Sequence, residues 1–109
     1  MSTQDNAAHG EYKIPGGKLV VVDLAVAGGR IDGVQVSGDF FLEPPETLDA
    51  INAALDGMPA DAGEEALTGA VAAVLGPETQ TYGITSAGVA VAVRRALDAV
   101  DAGGTGGAA

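Results

Sequence analysis

Gly16-Gly17-Lys18 sets two conformationally free backbone positions in front of a cation. A loop of this kind can present backbone N–H groups and an ammonium to a phosphate. It is not a P-loop: the leading glycine and the Ser or Thr after the Lys are missing, and a strand-like stretch follows where a helix should. The same three residues also make a plain turn with a Lys at the start of a strand. Further on, Gly38-Asp39-Phe40-Phe41 combines a residue that allows a sharp departure, a carboxylate able to accept from turn N–H groups, and both phenylalanines of the chain. Neighbouring residues on extended backbone point opposite ways, so one Phe is expected in the core, and core and interface both stand open for the other. Thr79, Thr81 and Tyr82 have no neighbouring base to activate them. Glu64-Glu65 reads as solvated surface. The single His, His9, sits in a polar N-terminal stretch where neither a triad nor a metal site is built around it. No catalytic residue and no metal ligand is assigned.

The elements that must position these residues can be read from pattern. Lys18 to Val26 is rich in β-branched residues and suits a strand. Val20, Val22, Leu24 and Val26 share one apolar face. Leu19, Val21, Asp23 and Ala25 share the other, which is half apolar. Pro15-Gly16-Gly17 turns the chain before it, after a short strand at Gly10 to Ile14. Ala27-Gly28-Gly29 is a hairpin connection, because paired glycines supply positive φ. In the return strand, Arg30 to Ser37, Val34 and Val36 alternate but Ile31 is out of step. Gly33 predicts a bulge that resets the register.

Three helices are expected next. The first opens at Pro44-Pro45 and carries the stripe Leu48, Ile51, Leu55 and Met58, with Gly57 near its end. The second starts at Asp61 with Glu64 as a capping box, carries Leu67, Ala70, Val71, Val74 and Leu75, and stops at Gly76-Pro77. The third starts at Thr85 or Ser86, with Ile84 and Val89 as a hydrophobic staple. Its stripe is Val89, Val93, Ala96, Leu97 and Val100. Arg94 and Arg95 lie in its second half, where cations suit the helix dipole. Strands first and helices after predict an α+β domain: a small antiparallel sheet of two to three strands with about three helices on one face. Residues 1–9 are expected to be a disordered tail, 10–100 the folded domain and 101–109 a flexible Gly/Ala tail.

Composition narrows the function. A chain of 109 residues makes one domain that buries roughly 65% of its unfolded surface. Cysteine is absent, which removes disulfides, thiolate metal sites and thiol nucleophiles. No apolar run approaches a membrane span, and no signal-peptide core is seen, so a cytoplasmic protein is expected. The net charge of −10 argues against nucleic acid and anionic membranes as partners. The acid-rich, Lys-poor mix resembles the proteins of salt-loving archaea. Residues 1–38 hold four acids against Lys13, Lys18 and Arg30; residues 39–109 hold eleven against Arg94 and Arg95. Three of the five cations therefore lie on or beside the predicted hairpin, where any phosphate contact belongs.

The ordered set of the Pro15-Gly16-Gly17-Lys18 turn, the hydrophobic strand, the Gly28-Gly29 hairpin, the Gly38-Asp39-Phe40-Phe41 exit and Tyr82-Gly83-Ile84-Thr85 before a final helix resembles the C-terminal accessory domain of lipoate–protein ligases. The resemblance spans about residues 10–100. In some archaea that domain is a separate small subunit, and the absence of a catalytic domain here is similar to that split arrangement. The resemblance implies a heterodimer with a catalytic large subunit that binds ATP, magnesium and lipoate, forms lipoyl-adenylate and charges a lysine of a lipoyl acceptor domain. It implies an accessory role in activation, with Gly16, Gly17 and Lys18 as candidates to approach phosphates or a partner loop and Gly38, Asp39, Phe40 and Phe41 as a candidate interface. Two other classes of function bear on these residues. An iron–sulfur scaffold or sulfur acceptor works through cysteine, which is missing. A plain interaction module, pairing the half-apolar sheet face with a partner and touching no nucleotide, remains.

Overall fold

Glycine turns fold the N-terminal third of the chain into a meander. The computed structural model describes residues 7–76 and 79–108, with the backbone alone over 101–108. Strands β1 (Ala7–Lys13), β2 (Leu19–Ala27) and β3 (Arg30–Gly38) form an antiparallel sheet in the order β1-β2-β3. Gly28 and Gly29 both take positive φ, 60° and 77°, as a two-residue hairpin turn requires. The β2–β3 register shifts between Asp23 and Ala25, so Gly33 and Val34 together oppose Leu24. Gly33 has φ 68°. This is the expected bulge, and it is why Ile31, Val34 and Val36 are all buried despite their uneven spacing.

After β3 come β4 (Phe41–Glu43), α1 (Thr47–Leu55), α2 (Glu64–Val74), β5 (Gln80–Tyr82) and α3 (Ser86–Ala108). Helix α3 packs on β1 and β2, α1 packs on β3, and α2 lies behind both, against α1 and α3. The expected α+β class is borne out. Val20, Val22 and Leu24 face the helices and are buried, whereas His9, Glu11 and Asp23 on the opposite face are exposed. The helix stripes meet this layer through Ile51, Leu55, Leu67, Val71, Val89, Val93 and Leu97. Each such side chain stabilises by about 1.5–3 kcal/mol on burial. No aromatic ring is in the fully buried core, so close approach substitutes for bulk. At Gly10 a β-carbon would stand 2.5 Å from both the Ala92 carbonyl oxygen and the Ala96 nitrogen. The backbone of α3 therefore rests directly on β1.

The outer edge of β3 is closed by the end of α1 and the segment that follows it. Asn52 Oδ1 accepts from Val36 N–H at 3.0 Å, and Asp56 Oδ1 from Val34 N–H at 3.3 Å. Met58 O accepts from Ile31 N–H and Gly29 O from Ala60 N–H, both at 2.8 Å. An edge occupied in this way cannot template another strand.

Four expectations need correction. Strand β1 begins at Ala7, so residues 7–9 are not tail; His9 pairs with Asp23 in the ladder, and its ring is satisfied by carboxylates on the uncovered face. Residues 1–6 lie outside the described residues. Helix α2 begins at Glu64 with Gly63 as N-cap, and no capping box forms. Residues 59–62 form a turn instead, because Arg94 Nη1 donates to the carbonyls of Ala60 (3.1 Å) and Ala62 (2.7 Å). That helix ends at Val74; Pro77, its expected stop, is outside the described residues. The backbone of α3 stays helical through Ala108, where a patternless tail was expected; once a helix is started, each further residue adds a bond. Finally, β4 and β5 pair as a second, two-stranded sheet, where the sequence pattern predicts no strands. The start of α3 is as expected: Thr85 Oγ1 accepts from Gly88 N–H at 2.9 Å, and Ile84 and Val89 are both buried.

Candidate functional site

The Pro15-Gly16-Gly17-Lys18 turn and the Tyr82-Gly83-Ile84-Thr85 segment, distant in sequence, meet in space. Ile14 N–H donates to Lys18 O (3.1 Å) and Gly17 N–H to Ile14 O (2.8 Å), with Gly16 at φ 74°. Lys13 Nζ braces the turn from outside, donating to Gly17 O at 2.8 Å. Lys18 N–H donates to Gly83 O at 2.9 Å. At Gly17 a β-carbon would stand 2.9 Å from that same carbonyl, and at Gly83, φ 84°, one would stand 2.3 Å from Lys18 Cγ. The two segments dock backbone to backbone because the contact positions are glycine. Between them lies a shallow cleft of about 260 Å³ lined by Ile14, Pro15, Gly16, Gly17, Thr81 and Gly83 among others.

This geometry sorts the phosphate candidates. The N–H groups of Gly17 and Lys18 are committed inside the fold. The Lys18 ammonium is not. Four of the five cations are engaged: Lys13 on the turn, Arg30 on Gly57 O, Arg94 on Ala60, Ala62 and Asp98, and Arg95 on Glu11 O and over the Tyr12 ring. Lys18 is exposed, and its Nζ has no hydrogen-bond or ion-pair partner among the described residues.

The exit from β3 is equally specific. Gly38 has φ 147°, and a β-carbon there would stand 2.1 Å from Leu19 O. The exit is thus pressed against the first residue of β2. Asp39 is exposed, and its carboxylate makes no turn bond among the described residues. Phe40 packs against the core while Phe41 is 58% exposed, which settles the two orientations left open by the sequence.

The sequence reading missed what Phe41 faces. In the β4–β5 pair Phe41 is opposite Tyr82 and Glu43 opposite Gln80. With a side-chain period of two, these four residues share one face, while Leu42 and Thr81 lie on the other, where Leu42 is buried in the core. The Phe41 and Tyr82 rings lie 6.1 Å apart at 55°. With Pro44 they line an open groove of about 570 Å³. Neither Phe41-Leu42-Glu43 nor Gln80-Thr81-Tyr82 alternates apolar and polar residues, and three residues are too few to tell a strand from a loop.

A separate polar cluster marks the uncovered face of the large sheet. His9 Nδ1 lies 2.7 Å from Asp23 Oδ1, and its Nε2 lies 2.6 Å from Glu11 Oε2. Hydrogen bonds to Glu11 and then Asp23 raise the His9 pKa above its ordinary value. The nearby acids make this a surface clasp rather than a base.

No family model matches the sequence, and no curated protein does. Among solved structures, the chain is similar to one from an archaeal lipoylation system of Thermoplasma acidophilum, described as a bi-partite lipoate protein ligase and its E2 lipoyl domain. The TM-score is 0.61 with 23% sequence identity, over 81% of this chain and 92% of that one. The likeness is one of fold, and a fold shared with a chain of a lipoate–protein ligase system is what the sequence resemblance implies. No helix among the described residues is long and apolar enough to cross a membrane.

Proposed function

We propose that this chain is the accessory subunit of a two-chain lipoate–protein ligase, acting in the cytoplasm as a heterodimer with a larger catalytic chain. ATP, magnesium and lipoate would bind the partner, and this chain would be required for ATP-dependent activation of lipoate to lipoyl-adenylate before transfer to a lipoyl acceptor domain. The fold shared with a chain of the archaeal bi-partite system carries this reading. Lys18, which follows the turn lining a glycine-docked cleft and whose ammonium has no partner among the described residues, supports it, since a cover that closes over a reactive acyl-adenylate excludes water and can add charge to its phosphate. In this scheme Lys18 works through its side chain, with Gly16 and Gly17 shaping the turn that presents it. Gly38, Asp39, Phe40 and Phe41 form part of the partner-facing side. A second reading, a protein-interaction module without a part in nucleotide chemistry, is favoured by the exposed Phe41–Tyr82 pair. Lys18→Ala separates them when activation and transfer are assayed apart. The ligase reading expects slower activation with intact binding to the catalytic chain; unchanged activation removes Lys18 from the chemistry and leaves the interaction module.

A further inference from the structure

Of the chain's four Phe and Tyr rings, two are covered by its own fold. Tyr12 carries the Arg95 guanidinium 4.9 Å from its ring centroid, and Phe40 packs against the core. Phe41 and Tyr82, 58% and 49% exposed, have no cation over either ring among the described residues. The Tyr82 hydroxyl donates to Gln80 Oε1, which fixes the ring on the sheet face. Glu43, on the same face and lining the same groove, has no ion-pair partner among the described residues. The result is an open groove lined by the Phe41 and Tyr82 rings and Pro44, with one carboxylate unpaired among the described residues, on a chain of net charge −10.

Such a groove suits a cation on an apolar stem. The charge attracts it, the rings receive its face and its methylenes cover the apolar walls. A phosphate or an acidic peptide would meet repulsion from Glu43. A second copy of this chain is a poor occupant, because four of its five cations are already engaged within the fold. We propose that the β4–β5 face docks a basic segment of the catalytic ligase chain, with an Arg or Lys side chain lying over Phe41 and Tyr82 and paired to Glu43. This inference rests on the proposed function and names the contact through which the two chains meet.

The test is titration calorimetry of the full chain against the catalytic ligase chain of the same organism. Tyr82→Ala and Phe41→Ala are expected to weaken binding about tenfold each. Glu43→Gln should weaken it several-fold and flatten its dependence on salt. Glu65→Gln, an exposed acid on α2, should leave it unchanged. All three groove side chains are exposed, and matching thermal melts would establish that the variants fold. If the wild-type chain does not bind the catalytic chain, the proposed function and this inference fall together. If it binds and the three groove variants bind equally well, this inference alone falls. Self-association of the wild-type chain that is abolished by Tyr82→Ala would make a second copy the occupant and would also overturn it.

Discussion

The stem of Lys18 crosses Gly83 so closely that a β-carbon on Gly83 would stand 2.3 Å from Lys18 Cγ, while Lys18 N–H donates to the Gly83 carbonyl at 2.9 Å. One glycine therefore fixes both the backbone and the side-chain path of the one cation left without a partner among the described residues. Gly83 also sits at φ 84°, where an L-residue carries a cost of about 1–2 kcal/mol. Gly83→Ala is expected to lower stability by about that amount and to displace the Lys18 side chain. Urea unfolding gives the first quantity, and the Lys18 side-chain resonances give the second. A variant with wild-type stability and unmoved Lys18 signals would show that this contact does not position the lysine.

Two other glycines should respond with opposite signs. Gly10→Ala drives a methyl into the backbone of α3, against Ala92 O and Ala96 N at 2.5 Å, and neither can step aside without moving the helix. A loss of about 1–3 kcal/mol is expected. Gly69, in the middle of α2, has nothing within 4 Å of a would-be β-carbon. Gly69→Ala should gain up to about 1 kcal/mol through helix propensity. Thermal melts of both variants settle the pair.

Arg94 holds the turn that replaces the expected start of the second helix. It is only 20% exposed, and it donates to Ala60 O and Ala62 O as well as to Asp98. Arg94→Ala should cost about 1.5–3 kcal/mol, because charged donors are lost from partly buried carbonyls. Faster amide exchange is expected around residues 59–62, with the N–H groups of α3 less affected. Equal protection there would mean the turn stands without the arginine.

His9 should titrate above 6.5, the ordinary imidazole value. Both ring nitrogens face carboxylates, and only the doubly protonated ring can donate to Glu11 and Asp23 together. Because the folded pKa is raised, the clasp contributes fully below the unfolded value and is lost as pH rises through the folded one. An NMR titration of the ring protons should give the raised value, and Glu11→Gln should bring it down. A wild-type value at or below 6.5 would contradict the geometry.

Much of this fold was legible because it is local. The Gly28-Gly29 turn, the Gly33 bulge, the Thr85 cap and the apolar stripes each rest on residues a few positions apart. What stayed hidden depends on partners far along the chain. The capping box at Asp61 and Glu64 is sound locally and loses to Arg94, more than thirty positions away. The polar look of His9 suggested a tail, but its neighbours across the ladder make it a strand residue. At the candidate site the pattern presents Gly16, Gly17 and Lys18 as a unit, and the structure divides them: the Gly17 amide is taken by the turn, the Lys18 amide by the Gly83 carbonyl, and the Lys18 ammonium has no partner among the described residues. Phe41 was recognised without its partner, since nothing near it in sequence announces that Tyr82 lies opposite.

The central claim is that this chain completes the activation step of a lipoate–protein ligase held mostly by another chain. The direct measurement is lipoyl-adenylate formation from ATP and lipoate by the catalytic chain, with and without this one, scored separately from transfer to an acceptor lysine. The expectation is substantial activation only when both chains are present, and transfer from preformed adenylate that depends far less on this one. Full-speed activation by the catalytic chain alone, or charging of an acceptor lysine by this chain alone, would contradict it.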